Sequence, residues 1–173
     1  MLRACALVAS LTCNLTGHGR RLRACVSTFN CVSTSSRTPE QYTAPWLTSA
    51  ATPAAAAEDI VAAVRAAVPE AELLTSEAQP SGHYLRFHAP GKFQLPDELE
   101  FLVRPNGVTG RNWEGDDGGG LLVTLRSIAG TVQFVYPFMT PLSDGGLQKT
   151  RVARIREQLG AQLVGCELVE CYQ

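Results

Sequence analysis

Between residues 72 and 136 the chain alternates apolar and polar side chains in short runs. Leu85 and Phe87 alternate with polar neighbours, and Leu99, Phe101 and Val103 repeat the pattern. A period of two is typical of strands with one buried face. We predict five strands, at residues 72–78, 84–88, 98–103, 121–128 and 131–136, the last two joined across Ala129-Gly130. Because the connections leave no room for crossover helices, the sheet should be antiparallel.

Two amphipathic helices flank these runs. Thr52 can cap the first helix, and Pro53 is suited to its first turn. Apolar residues recur at helical spacing as far as Pro69, where we expect the helix to end. The second carries Val152, Ile155, Leu159 and Leu163 at helical spacing, and either Ser143 or Asp144 can cap it. We expect an α+β fold in which two helices cover an antiparallel sheet of about five strands.

The first 39 residues contain five arginines and no acidic residue. Such composition, rich in Arg and hydroxyl side chains, is typical of an organelle transit peptide. We therefore predict a transit peptide at 1–30, an irregular arm at 31–51, one domain at 52–164 and a tail at 165–173. A chloroplast destination is favoured, with the mitochondrion as the alternative and a secretory signal as a weaker one.

Charge argues against nucleic-acid binding, and hydropathy argues against a transmembrane segment. After residue 39, ten basic and sixteen acidic residues leave a formal charge of −6, so nucleic-acid binding is not expected. No apolar run approaches the roughly 18 residues that span a bilayer, although peripheral membrane association stays open.

The six cysteines lie near the two ends of the chain, four before residue 32 and two after residue 165. This spacing suggests neither a disulfide framework nor a zinc site, and a reducing compartment fits it best. Cys31 could be a nucleophile or a packing residue. His83 and His88 fall on opposite sides of a strand, which argues against a shared metal.

The residues with most chemical interest lie between a strand end and the start of the last helix. Arg126, Lys149 and Arg151 could hold an anion at the helix N-terminus. The alternative is an internal ion pair of Arg126 with Asp144 that fixes the helix to the sheet. The anion-site hypothesis comprises Arg126, Ser127, Asp144, Lys149 and Arg151, with Asp97 and Glu100 as supporting carboxylates.

The same region carries a family resemblance. Four blocks in order are similar to those of domain-of-unknown-function family 1499: residues 30–33, 97–101, 126–127 and 144–156. The resemblance covers about residues 30–160. Bacterial-type members carry Asn and Arg where this chain has Gln148 and Lys149. The sixteen residues 128–143 resemble the longer form of plants and algae, in agreement with a plastid leader.

We therefore expect a non-catalytic accessory protein in the chloroplast stroma or at the thylakoid surface, which binds an unknown protein partner or a small anion. No catalytic residue, metal or cofactor is assigned. The alternative is a small plastid enzyme that uses Arg126, Asp144 and Arg151 with a carboxylate from Asp97 or Glu100.

Overall fold

The computed structural model describes residues 22–25, 30–93, 95–106 and 120–164. Its two helices are α1 (Pro53–Ala67) and α2 (Leu147–Leu159). Its strands are β1 (Cys31–Ser33), β2 (Trp46–Thr48), β3 (Glu72–Gln79), β4 (Gly82–Ala89), β5 (Asp97–Pro105), β6 (Leu121–Ile128), β7 (Phe134–Val135), β8 (Thr140–Pro141) and β9 (Gln162–Leu163). The predicted tail, residues 165–173, lies outside the described residues.

Seven strands form one sheet in the order β3-β4-β5-β6-β2-β9, and β1 pairs with the C-terminal half of β6. Every strand pair is antiparallel. The α+β class and four of the five predicted strands are confirmed, but the strand number was underestimated. The short strands β1, β2 and β9 have too few residues to show a period of two.

The fifth predicted strand, residues 131–136, is wrong. That edge of β6 is occupied by β1 and β2, so the chain leaves the sheet after Ile128. Phe134–Val135 pairs instead with Thr140–Pro141, which forms a small separate ribbon. We call residues 134–142 the aromatic hairpin.

Both helices begin and end for local reasons. The Thr52 hydroxyl accepts from the Ala55 amide at 3.1 Å, which caps α1 as predicted. Helix α2 ends at Gly160, whose φ of 65° favours glycine. Leu163, which we expected on this helix, lies in β9 opposite Trp46.

The core lies on one face of the sheet, which we call the helix side. Buried side chains of both helices, including Ile60, Val64 and Ile155, join Phe87 and Phe101 in one cluster. On the opposite face, the far side, Leu22 forms a second small cluster with Tyr84 and Leu102.

The segment before β1 is tied to the fold. A disulfide bond joins Cys25 to Cys31, and the Ser33 hydroxyl donates to the Arg23 carbonyl at 3.2 Å. The sequence analysis did not predict this bond. Leu22 and Cys25 therefore contact the folded domain, although both lie within the predicted transit peptide.

Ile155 tests the packing of α2. Ile155→Asp should lower the free energy of unfolding by about 3–5 kcal/mol, because Ile155 is fully buried and the carboxylate would face the apolar core. Chemical denaturation measures the change. Ala153→Asp places the same group at an exposed position of the helix and should cost less than about 1 kcal/mol. Equal losses in both variants would contradict this packing.

Candidate functional site

Side-chain alternation divides the predicted site residues between the two faces of the sheet. On β5, Asp97 faces the helix side, whereas Glu98 and Glu100 face the far side. On β6, Ser127 faces the helix side and Arg126 the far side. The adjacent residues Arg126 and Ser127 therefore belong to two different groups of contacts.

On the helix side, four polar side chains form one buried network, which we call the clasp: Asp97, Ser127, Gln148 and Arg151. Arg151 donates to Asp97 at 2.9 Å, and the Gln148 amide donates to the same carboxylate oxygen at 2.7 Å. The other Asp97 oxygen accepts from the Gly130 amide at 3.3 Å. The carboxylate thus has three donors and is paired with a cation.

The remaining groups of the clasp are also satisfied. Arg151 donates to the Gln148 side-chain oxygen at 3.1 Å and to the Pro90 carbonyl. Ser127 donates to that same Gln148 oxygen. A buried ion pair is stable only when its remaining donors and acceptors are occupied in this way. The clasp ties α2 to β5 and β6.

The start of α2 is held by a second set of contacts. Asp144 accepts from the amides of Gly146, the residue before α2, at 2.9 Å and of Gln148 in its first turn at 3.2 Å. The Asn30 side chain accepts from the Asp144 amide and donates to the Leu142 carbonyl, both at 2.9 Å. The N-terminus of α2 therefore already has a carboxylate of the protein itself close to it.

On the far side, Arg126 pairs with Glu100, whose other oxygen accepts from the Tyr84 hydroxyl. The Arg126–Glu100 distance is 2.5 Å and the Tyr84–Glu100 distance is 2.6 Å. Glu98 lies 3.9 Å from Arg126 and 2.5 Å from Arg86, the latter an ion pair without hydrogen-bond alignment. Arg126 is only 13% exposed, and its charge is balanced within the protein.

These contacts test the predicted ion pair between helix and sheet. The predicted pair of Arg126 with Asp144 is wrong, because Arg126 meets Glu100 on the far side and Asp144 caps α2. An internal Arg–Asp pair that fixes the helix to the sheet does exist, between Arg151 and Asp97. Lys149 is exposed on α2 and takes no part in the clasp.

Gln148 is the site residue that the sequence analysis undervalued. It is 2% exposed and forms hydrogen bonds to both Ser127 and Asp97. Nothing in the sequence predicts that a glutamine in a helix is buried. Its position one turn before Arg151, on the same helix face, is the only pattern that points to it.

The cysteine and histidine candidates have partners of their own. Cys31 is 2% exposed and bonded to Cys25, so it offers no free thiol here. His83 contacts the Ser76 hydroxyl at 2.8 Å. In the ranges that the structure describes, no group of three or more His, Cys, Asp or Glu side chains could hold a metal ion. Cys166 and Cys171 lie outside those ranges.

Among the described residues, the aromatic hairpin is the most exposed apolar surface feature. Tyr136 is 86% exposed, Phe138 85% and Met139 63%, and Phe134, Val135 and Leu142 are exposed as well. No charged residue occurs from Ser127 to Ser143, a run of 17 residues. Near the hairpin base, Lys92 donates to the Ser143 carbonyl at 3.0 Å.

Comparison with known proteins identifies the family of this chain, and the description of that family gives no activity. The model of the family described as protein of unknown function (DUF1499) matches residues 21–159, and the chain belongs to this family. No curated protein and no solved structure matches the chain.

The clasp can be tested by removing its cation. Arg151→Met should lower the free energy of unfolding by about 3–5 kcal/mol, because Asp97 would keep a buried charge without its counterion. Lys149→Met removes an exposed charge from the same helix and should change stability by less than about 0.5 kcal/mol. Asp97→Asn combined with Arg151→Met should recover part of the loss. Thermal melts measure all three.

Phosphate provides the contrasting measurement. Because Arg126 and Arg151 are both paired with carboxylates, phosphate should leave the melting temperature of every variant unchanged. A melting temperature that phosphate raises in the original protein and not in Arg151→Met would instead support the anion-site hypothesis.

Proposed function

We propose that this DUF1499 protein is a non-catalytic accessory protein of the plastid, held at a membrane surface by its aromatic hairpin, on the stromal side of the thylakoid. The observation that carries the proposal is the exposure of Tyr136, Phe138 and Met139 at the end of an uncharged hairpin.

The charged residues support a non-catalytic role. The enzyme hypothesis needs Arg126, Asp144 and Arg151 around one substrate, with Asp97 or Glu100 as the acid or base. The structure separates Arg126 and Glu100 from Asp97 and Arg151 by the thickness of the sheet. Each arginine is already neutralised by a carboxylate, so neither is available to polarise a substrate.

The hairpin has the composition of a membrane-interface anchor. Tyr and Phe side chains partition into the headgroup region, whereas charged side chains oppose insertion. Burying one such side chain contributes about 1.5–3 kcal/mol, so the three tip residues together contribute on the order of 5 kcal/mol. In water this area would stay exposed without any compensating contact.

Charge near the hairpin base favours a lipid surface. Lys92 contacts the chain at Ser143, where the hairpin ends, and Lys149 follows within the first turn of α2. Each lysine near an anionic surface contributes about 1 kcal/mol. Asp144, which lies between Ser143 and Lys149 in sequence, accepts from the amides of Gly146 and Gln148 at the start of α2.

Vesicle flotation tests the hairpin. The protein should float with phosphatidylcholine vesicles, and more of it when phosphatidylglycerol is added. Replacing Tyr136 and Phe138 together by Ser should weaken partitioning about a hundredfold, because two aromatic side chains no longer insert.

Tyr42→Ser is the matched control, since Tyr42 is 46% exposed but lies outside the hairpin. It should leave flotation unchanged. If the original protein stays in solution with both kinds of vesicle, the membrane proposal fails. A hairpin that crosslinks to one protein in plastids but never floats would indicate a protein partner instead.

The leader supports the plastid location, and the structure suggests where it should be cut. Leu22 is buried against Tyr84 and Leu102, and Cys25 is bonded to Cys31. Removal of residues 1–30 would remove both contacts. We therefore place processing before Leu22.

Targeting gives a separate test. A fusion of residues 1–39 to a fluorescent protein should accumulate in plastids, because this segment has five arginines and no acidic residue. Mass spectrometry of the protein recovered from plastids should give an N-terminus at or before Leu22. Accumulation in the secretory pathway would contradict the location, and an N-terminus after Leu22 would contradict the processing site.

A further inference from the structure

A groove separates α1 from the edge strand β3, away from both the clasp and the aromatic hairpin. Its volume is about 420 Å³. The apolar walls are formed by Ala57 and Val61 of α1 and by Leu73 of β3. At one end the Ser76 hydroxyl and the His83 ring, 2.8 Å apart, provide a polar floor.

The strand beside the groove has one unpaired edge in the described part of the chain. β3 is the end of the strand order, pairs with β4 alone and has eight residues, with a register shift between Leu73 and Thr75. The outer edge of such a strand presents a row of N–H and C=O groups that can pair with a further strand. Extended peptides bind in this way, with alternate side chains entering an adjacent groove.

Opposite charges mark the two ends of the groove. Glu58 and Arg65 line it on the same face of α1, and both are exposed. The two residues are seven positions apart in the helix, a rise of about 10 Å. Because α1 ends at Ala67 and β3 begins at Glu72 after a short connection, we infer that Arg65 lies at the Leu73 end and Glu58 at the Ser76 end. A ligand that complements the groove is therefore basic at one end, apolar in the middle and acidic at the other.

The spacing of residues in a strand predicts which peptide sequence would match these charges. Residues i, i+2 and i+4 of an extended peptide face the same side and span about 14 Å between the outer Cα atoms. This span exceeds the rise of about 10 Å between Glu58 and Arg65 by about 4 Å, which the long side chains of the two residues can bridge. A peptide antiparallel to β3 runs toward Arg65, so its acidic residue follows its basic residue.

We propose that the groove binds an extended peptide of the pattern basic-x-apolar-x-acidic, which pairs antiparallel with β3 as an added strand. The apolar side chain enters between Val61 and Leu73, the acidic one meets Arg65 and the basic one meets Glu58. The proposal goes beyond the membrane role of the hairpin, because the two surfaces share no residue.

The test uses two peptides of one composition, Thr-Lys-Thr-Val-Thr-Glu-Thr and its charge-swapped form Thr-Glu-Thr-Val-Thr-Lys-Thr, both with blocked ends. Calorimetry on the full protein should show the first peptide binding about tenfold more tightly, because two ion pairs become two repulsions in the second. Hydrogen exchange should slow at the β3 amides that face away from β4.

A charge-swapped protein provides the matched control. Glu58→Arg combined with Arg65→Glu should reverse the preference between the peptides, since both residues are exposed and the groove walls are unchanged. Equal binding of the two peptides, binding of neither, or an unchanged preference in the swapped protein would overturn the proposal. So would a free protein that is already a dimer with its outer β3 amides protected, because a second copy would then occupy the edge.

Discussion

The buried contact between Asp97 and Arg151 is the interaction on which the position of α2 depends. It joins the first residue of a central strand to the second turn of the helix, and Gln148 connects both to Ser127. Desolvation makes such a pair costly if either partner is lost, so the pair constrains orientation more strongly than it adds stability. The position of α2 in turn fixes Asp144 and Asn30 at the base of the aromatic hairpin.

The long elements were predictable from the sequence because each repeats its pattern several times. Four strands and both helices show enough periods of two or of 3.6 to be recognised. The short strands β1, β2 and β9 were not, since two or three residues carry no period. The strand predicted at 131–136 failed for a tertiary reason: β1 and β2, distant in sequence, occupy the edge of β6 that it would need.

The sequence analysis named most residues of the clasp but assigned the wrong ion pair. Its alternative to an anion site was an Arg–Asp pair between helix and sheet, formed by Arg126 and Asp144. Alternation along β6 places Arg126 and Ser127 on opposite faces, and this was derivable from the sequence. The partner of Arg151 was not, because Asp97 reaches it through strand pairing and helix packing that span 54 residues of chain.

The disulfide between Cys25 and Cys31 changes what a proteolytic cut near the N-terminus would accomplish. A protease that cleaves between these residues breaks the backbone but leaves two polypeptides linked through sulfur, with Leu22 still packed on Tyr84. In an oxidising compartment the severed piece would persist as a noncontiguous part of the domain. In a reducing one the sulfurs become thiols, and the piece is then held by its noncovalent contacts alone.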